Sequence, residues 1–203
     1  MQLLSSIYSV KENLSIYRVP VLDGTFVTQH IPWVKKLVRA IQKSVDDFAG
    51  IPLVPLSNAK GITVHFTPPS GEYRWHYDPN VVTAILYLNE VEGGEVDIYE
   101  DYRILLDTQP LSSAQKFFDQ ILISEVSRWI FSGKRSAIQP EAGGLLLLKG
   151  DRCLHSVRKI RGASDRVSIE FAFDVPGKVQ KPYAITDSYF YSGPEYVPEK
   201  ISA

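Results

Sequence analysis

The residues of this chain that could do metal chemistry are few. There are four histidines, His30, His65, His76 and His155, and one cysteine, Cys153. A single cysteine forms no internal disulfide and no zinc site built on several thiolates. Any metal must therefore be held by histidine and carboxylate. The strongest local signal is Trp75-His76-Tyr77-Asp78. On a strand, side chains two residues apart point the same way, so His76 and Asp78 can reach one ion. Such triplets are common, and the plain alternative is a hydrogen-bonded histidine beside a turn aspartate. A second strand-like stretch, Cys153–Arg158, carries His155. Two histidines and one carboxylate form a facial triad that leaves positions open on iron, enough for a chelating cosubstrate and dioxygen. A zinc hydrolase uses similar ligands, so the triad leaves the chemistry open.

Downstream lies Asp165-Arg166-Val167-Ser168-Ile169-Glu170. Val167, Ile169, Phe171 and Phe173 mark one apolar face of a strand. Arg166 and Ser168 share the other. An arginine fork with a hydroxyl two residues on suits a carboxylate held deep in a pocket. A solvated strand face, or a salt bridge from Arg166 to Glu170, is the alternative. His65 reads as a core or pocket-wall histidine rather than a fourth ligand. His30 reads as a surface residue next to a helix. Cys153 shares a strand face with His155 but has no paired base for nucleophilic work. Trp75, Tyr77 and Asn80 flank the ligands and are candidate substrate contacts. No catalytic residue is expected beyond the metal site.

These residues need elements to position them. Val34, Leu37, Val38, Ile41, Val45 and Phe48 repeat at helical spacing, with Pro32 before them and Gly50 after. Short strands are expected at Leu14–Arg18 and Thr25–Thr28. Further strands are expected at Ile62–Phe66, Tyr73–Asp78, Val81–Leu88, Glu95–Tyr99, Gly144–Lys149, Cys153–Arg158 and Arg166–Phe173. Residues 112–132 return to helical spacing, with a Ser112–Gln115 capping-box pattern and Gly133 beyond the end. Phe118, Leu122 and Trp129 are expected to pack on the sheet, and the flanking loops are lid candidates. The order implies a mainly β fold with flanking helices, a sandwich or barrel. Residues 1–203 read as a single domain. Its barrel core is 61–175, its helical insertion 100–139 and its C-terminal tail 176–203, the tail's aromatics packing on the barrel.

Composition sets the remaining bounds. Lys plus Arg number 22 and Asp plus Glu 23, a net charge of −1. Near-neutrality argues against nucleic acid as a partner. The N-terminus lacks a basic, then apolar, leader pattern, and no run of 18 apolar residues could span a bilayer. A cytoplasmic location, no membrane partner and a monomer or homodimer are the expectations.

The order His-x-Asp, a distant His, then Arg-x-Ser resembles the Fe(II)/2-oxoglutarate-dependent oxygenases, most of all the prolyl-4-hydroxylase-like branch. Three stretches carry the resemblance: Gly71–Asp78; Thr83–Glu95 with Leu88-Asn89 and Gly93-Gly94-Glu95; and Pro140–Leu148 followed by His155, Arg166 and Ser168. Together they cover about residues 61–175. One departure is Val96 after Glu95, where the branch usually has threonine. A second is the insertion at 100–139. The resemblance implies a double-stranded β-helix, a jelly-roll barrel of the cupin type. It implies Fe(II) on His76, Asp78 and His155, and 2-oxoglutarate on Arg166 with Ser168 assisting and Tyr73 and Tyr87 lining its pocket. With dioxygen, the implied reaction is hydroxylation of an unactivated C–H bond with release of succinate and CO2. Related halogenases lack the carboxylate ligand, so Asp78 favours hydroxylation. A free amino acid or other small metabolite is the favoured substrate. A protein or peptide hydroxylase, a non-catalytic cupin-like binding module and a zinc hydrolase are the competing readings.

Overall fold

The computed structural model describes residues 21–57, 60–106, 112–178 and 191–192. Its centre is a pair of facing antiparallel sheets, a double-stranded β-helix. Elements run in chain order: β1 (Val21–Leu22), α1 (Gly24–His30), α2 (Val34–Ala49), β2 (Val54–Pro55), β3 (Ile62–Thr67), β4 (Glu72–His76), β5 (Val82–Tyr87) and β6 (Val96–Tyr99). Then follow α3 (Ser113–Ile123), α4 (Glu125–Ile130), β7 (Arg135–Ile138), β8 (Leu145–Leu148), β9 (Leu154–Val157), β10 (Arg166–Asp174) and β11 (Tyr191–Ser192). The major sheet has the order β1-β3-β10-β5-β8, with β2 also on β10. The minor sheet has the order β11-β4-β9-β6-β7.

Strand alternation assigns the two faces of the major sheet. Val167, Ile169, Phe171 and Phe173 of β10 join Val64, Phe66, Val82 and Ala84 in one core. Helices α1 and α2 cover it with Val27, Val34, Val38 and Val45. The opposite face looks across to the minor sheet. There Ile85, Tyr87 and Leu148 meet Tyr73, Val96, Ile98 and Val157 in a second cluster. Arg166 and Ser168 sit on this inner face, as the alternation of β10 requires.

Helix α2 ends as its sequence demands. Gly50 adopts a left-handed φ of 72° and returns its N–H to the Asp46 carbonyl at 2.9 Å. The strand expected at Thr25–Thr28 is instead part of α1. Asp23 is the reason: its carboxylate accepts from the N–H groups of Thr25 and Phe26, an N-cap where the sequence suggested a turn. The strand expected at Leu14–Arg18 lies outside the described residues, as does the tail except 176–178 and 191–192. Residues 191–192 pair with Tyr73 and Glu72 of β4.

The insertion is also broken up. Ser124, with φ −58° and ψ 152°, ends α3 and caps α4. Helix α3 turns a polar side inward: Gln115, Asp119 and Leu122 are its buried residues. Helix α4 buries none, and Trp129 is 78% exposed. The expectation that Trp129 packs on the sheet is therefore corrected. Leu122 is buried and Phe118 half-buried as the spacing predicts, whereas Ile121, Val126 and Ile130 face outward with Trp129, and Gln115 and Asp119 join Leu122 on the inner side. The insertion returns through β7, a strand absent from the sequence reading. It is tied to β6 by Arg135, whose guanidinium donates twice to Asp97. Arg158 grips the same carboxylate. Burial alone would raise the Asp97 pKa, but these two guanidinium groups hold it below the usual carboxylate range.

Candidate metal centre and cosubstrate pocket

The metal-site residues come together where two neighbouring strands of the minor sheet meet a loop. His76 of β4 faces His155 of β9 as a direct cross-strand pair. Between Tyr73 and His76 the register slips by one residue, a bulge that lets both side chains point inward despite their odd spacing. The strand ends at His76. Asp78 lies just beyond it, its N–H bonded to the Gly150 carbonyl at 2.9 Å. Gly150 has to be small: a Cβ there would sit 2.7 Å from the Asp78 Cβ.

One ligand atom from each of His76, Asp78 and His155 lies within 4.8 Å of the others. Asp78 Oδ1 is 3.7 Å from His76 Nε2 and 3.6 Å from His155 Nε2. The imidazole centroids are 4.3 Å apart. Both rings have a fixed tautomer. His76 Nδ1 donates to the Arg74 carbonyl at 2.6 Å, and His155 Nδ1 donates to the Cys153 carbonyl at 3.0 Å. A carbonyl only accepts, so each proton is on Nδ1 and each Nε2 lone pair is directed at the shared space. Asp78 is oriented in the same manner. Asn80 Nδ2 donates to Thr83 Oγ1 at 2.9 Å, and the Thr83 hydroxyl donates to Asp78 Oδ2 at 2.5 Å. Oδ1 is left for a cation. Two imidazoles and one carboxylate with open positions suit Fe(II).

Arg166 and Ser168, the residues expected to bind the cosubstrate, lie further along the inner face of β10. Arg166 is 1% exposed and Ser168 fully buried. Among the described residues, Arg166 Nε and Nη2 and Ser168 Oγ have no hydrogen-bond partner. The Arg166 guanidinium lies 5.1 Å from the centre of the Tyr87 ring. Burial pushes the Tyr87 phenol up, and Arg166 beside it pulls it part of the way back. Each buried unsatisfied polar group costs about 1–3 kcal/mol. Donors gathered in one buried place fit a multidentate acceptor, and a carboxylate supplies that. Close approach again needs glycine: Gly94 has φ +69°, and a Cβ there would lie 3.2 Å from Arg166 Cδ.

The profile of the 2OG-Fe(II) oxygenase superfamily matches residues 62–174, more than half of the chain. The chain belongs to this superfamily. Oxygenases of the superfamily use Fe(II), 2-oxoglutarate and O2, and the donor set above fits the first two. The fold is similar to that of the non-haem alpha-ketoglutarate-dependent epimerase SnoN from nogalamycin biosynthesis. That match has 16% identity, covers 87% of this chain and 72% of SnoN, and has a TM-score of 0.53. SnoN has also been solved in complex with Fe3+ and alpha ketoglutarate. A prolyl hydroxylase from Trichoplax adhaerens, solved with a hypoxia inducible factor peptide fragment, matches with 17% identity. The match covers 85% of this chain and 74% of that one, with a TM-score of 0.50. A prolyl 4-hydroxylase structure from Phytophthora capsici matches with 17% identity over 91% and 59%, with a TM-score of 0.51. At these identities the likeness is one of fold. The chain spans 60% and 30% of the length of two further matched structures. No curated protein matches it.

Of the other residues expected at the site, Tyr73 lines the pocket shared by His76, Asp78, His155 and Arg166. Trp75 points to the outer face of the minor sheet, 5.3 Å from the Tyr99 ring, with Arg128 and Arg135 over it. Tyr77 lies against Arg103 of the insertion, 5.0 Å from its ring centre, and burial drives its phenol pKa up. Asn80 is buried with its amide committed to Val82 and Thr83. Burial pushes the Cys153 thiol up to about 12, so it stays protonated. His30 bonds back to Phe26 within its own helix. Two polar residues of the pocket go beyond the sequence expectations: Thr83, which fixes Asp78, and Glu170. Glu170 continues the Arg166, Ser168 alternation, so its signal was present. No helix among the described residues is long and apolar enough to cross a membrane.

Proposed function

We propose that this chain is an Fe(II)- and 2-oxoglutarate-dependent dioxygenase that hydroxylates an unactivated C–H bond of a small molecule. An amino acid or secondary metabolite is the substrate class. The carrying observation is that His76, Asp78 and His155 share one pocket with Arg166, whose buried Nε and Nη2 have no hydrogen-bond partner among the described residues. In this reading Fe(II) with 2-oxoglutarate and O2 supplies the oxidising power, with release of succinate and CO2.

The chain's own residues do the rest. His76, His155 and Asp78 hold the metal on three sides. Thr83 and the two backbone carbonyls fix those ligands in orientation. Arg166 and Ser168 bind the distal carboxylate of the cosubstrate, with Tyr87 closing over the guanidinium. The presence of Asp78 favours hydroxylation over halogenation. A zinc hydrolase would have no use for a buried arginine clamp. The absence of a large charged tract in the sequence favours a small substrate over a protein.

The test is decarboxylation of carboxyl-labelled 2-oxoglutarate by purified protein in air. Wild type with Fe(II) is expected to release CO2 and succinate in equal amounts. Zinc in place of iron, or Arg166→Ala, is expected to abolish release. Wild type releasing no CO2 with any small molecule or peptide offered would contradict the proposal. Stimulation by peptides alone would move the substrate to protein.

A further inference from the structure

Tyr77, the residue between the ligands His76 and Asp78, packs against Arg103 at the root of the insertion. We propose that Arg103 is a positioning residue for the metal centre: it grips the turn at residues 149–153 and so holds Asp78 and His155 where they can share one ion. The inference rests on the metal-site reading above and gives that site a support outside the barrel.

The turn itself is the first argument. It joins β8 to β9. From within, it is closed by the N–H groups of Arg152 and Cys153, which donate to the Lys149 carbonyl at 3.0 and 2.7 Å. Its next four carbonyls face outward to specific partners. The Gly150 carbonyl accepts from the Asp78 N–H at 2.9 Å, and the Cys153 carbonyl accepts from His155 Nδ1 at 3.0 Å. The two carbonyls between them belong to Arg103. Its Nη1 donates to Asp151 at 3.2 Å and its backbone N–H to Arg152 at 3.0 Å. The outer pair of carbonyls supports two metal ligands, and the inner pair is held by one arginine. A turn that starts at glycine has much conformational freedom to lose, so an external tether has work to do.

The side chain is the second argument. It is 9% exposed. Arg103 Nε and Nη2 are engaged by the two oxygens of Asp119 on α3. That fork fixes the guanidinium plane and so fixes the direction of Nη1. The same guanidinium lies 5.0 Å from the centre of the Tyr77 ring, which bears on the backbone between His76 and Asp78. One planar cation therefore reaches the helix, the turn and the ligand segment together. A lysine ammonium is a point donor. It would follow the Asp119 carboxylate and leave the turn carbonyl.

The experiment measures Fe(II) affinity of the full chain by competition with a chelator. Tm and the visible band of the anaerobic iron–2-oxoglutarate complex are read alongside. Removing a group that orients a ligand ordinarily costs ten- to a hundredfold in metal affinity, and Arg103 acts one step further out, so Arg103→Lys should raise the Fe(II) Kd about fivefold. It should also displace the band, yet keep most of the wild-type Tm, because lysine still pairs with Asp119. Asp119→Ala should do the opposite: Tm falls, while iron affinity and band stay as in wild type, because Arg103 remains on the turn. An arginine that served stability alone could not give this pair of results, since iron affinity would then follow Tm. Wild-type iron affinity and band in Arg103→Lys overturn the proposal. So does an iron affinity that falls in step with Tm across the two variants. A wild type that binds no iron instead overturns the metal-site reading, and the proposal with it.

Discussion

Two regions of this molecule bury polar side chains, and they treat them in opposite ways. At the root of the insertion, Arg103 Nε and Nη2 donate to the two oxygens of Asp119 at 3.0 and 2.5 Å. Arg103 Nη1 reaches the Asp151 carbonyl at 3.2 Å. Gln115 donates to Asp119 and to the Ile104 carbonyl, and accepts from the Leu106 N–H. Each of these groups has its partner within the protein. In the barrel, Arg166 is more deeply buried than Arg103, yet among the described residues its Nε and Nη2 have no such partner, nor has Ser168 Oγ. A satisfied network is architecture: it pins the helices to the sheet. Unsatisfied donors facing a pocket are a binding site for a group the chain does not itself contain. The same contrast runs through the surfaces. Most apolar residues of the barrel are buried, whereas α3 and α4 expose Phe117, Ile121, Val126, Trp129 and Ile130.

Substitutions can break this comparison at either end. Asp78→Ala should have the largest effect. Losing the ligand that completes the triad removes several kcal/mol of metal-dependent catalysis, about 10³-fold or more in kcat, with the fold intact by circular dichroism. Asp119→Ala should do the reverse. It takes the carboxylate partner from a buried guanidinium and destabilises the fold by about 3 kcal/mol, lowering Tm by about 6–12 °C, while iron and 2-oxoglutarate still bind. Thr83→Val should weaken iron affinity by about tenfold, measured by competition with a chelator, because Asp78 loses the hydroxyl that orients it. Trp129→Ser should change stability by no more than about 0.5 kcal/mol in urea unfolding, since the side chain packs on nothing that folding hides.

Much of this was legible in the sequence, for identifiable reasons. Alternation along Arg166–Phe173 separates clamp from core because period-two patterning in a two-faced strand leaves no other choice. His76 and Asp78 converge as their spacing suggests, although Asp78 reaches the site from a loop held by Gly150 rather than from the strand. Three features were hidden. The Asp23 cap of α1 looks like a turn because Asp-Gly serves both purposes. The bulge before His76 leaves no trace in composition. In the insertion the spacing finds Leu122 but not its neighbours: apolar residues at helical spacing ordinarily mark the buried face, and here Gln115 and Asp119 share that face with Leu122 while Trp129 lies outside it. Glu170 was in plain view in the same alternation that picked out Arg166 and Ser168.

The central claim is that the histidine–aspartate cluster and Arg166 form one site for iron and 2-oxoglutarate. Anaerobic titration of the iron-loaded protein with 2-oxoglutarate, followed in the visible, tests it most directly. Wild type should develop the metal-to-ligand charge-transfer band. Arg166→Ala should need about 10²-fold more cosubstrate to reach it, given the strength of a buried charge-assisted pair. A wild type that develops no band, or an Arg166→Ala protein that titrates like wild type, contradicts the account.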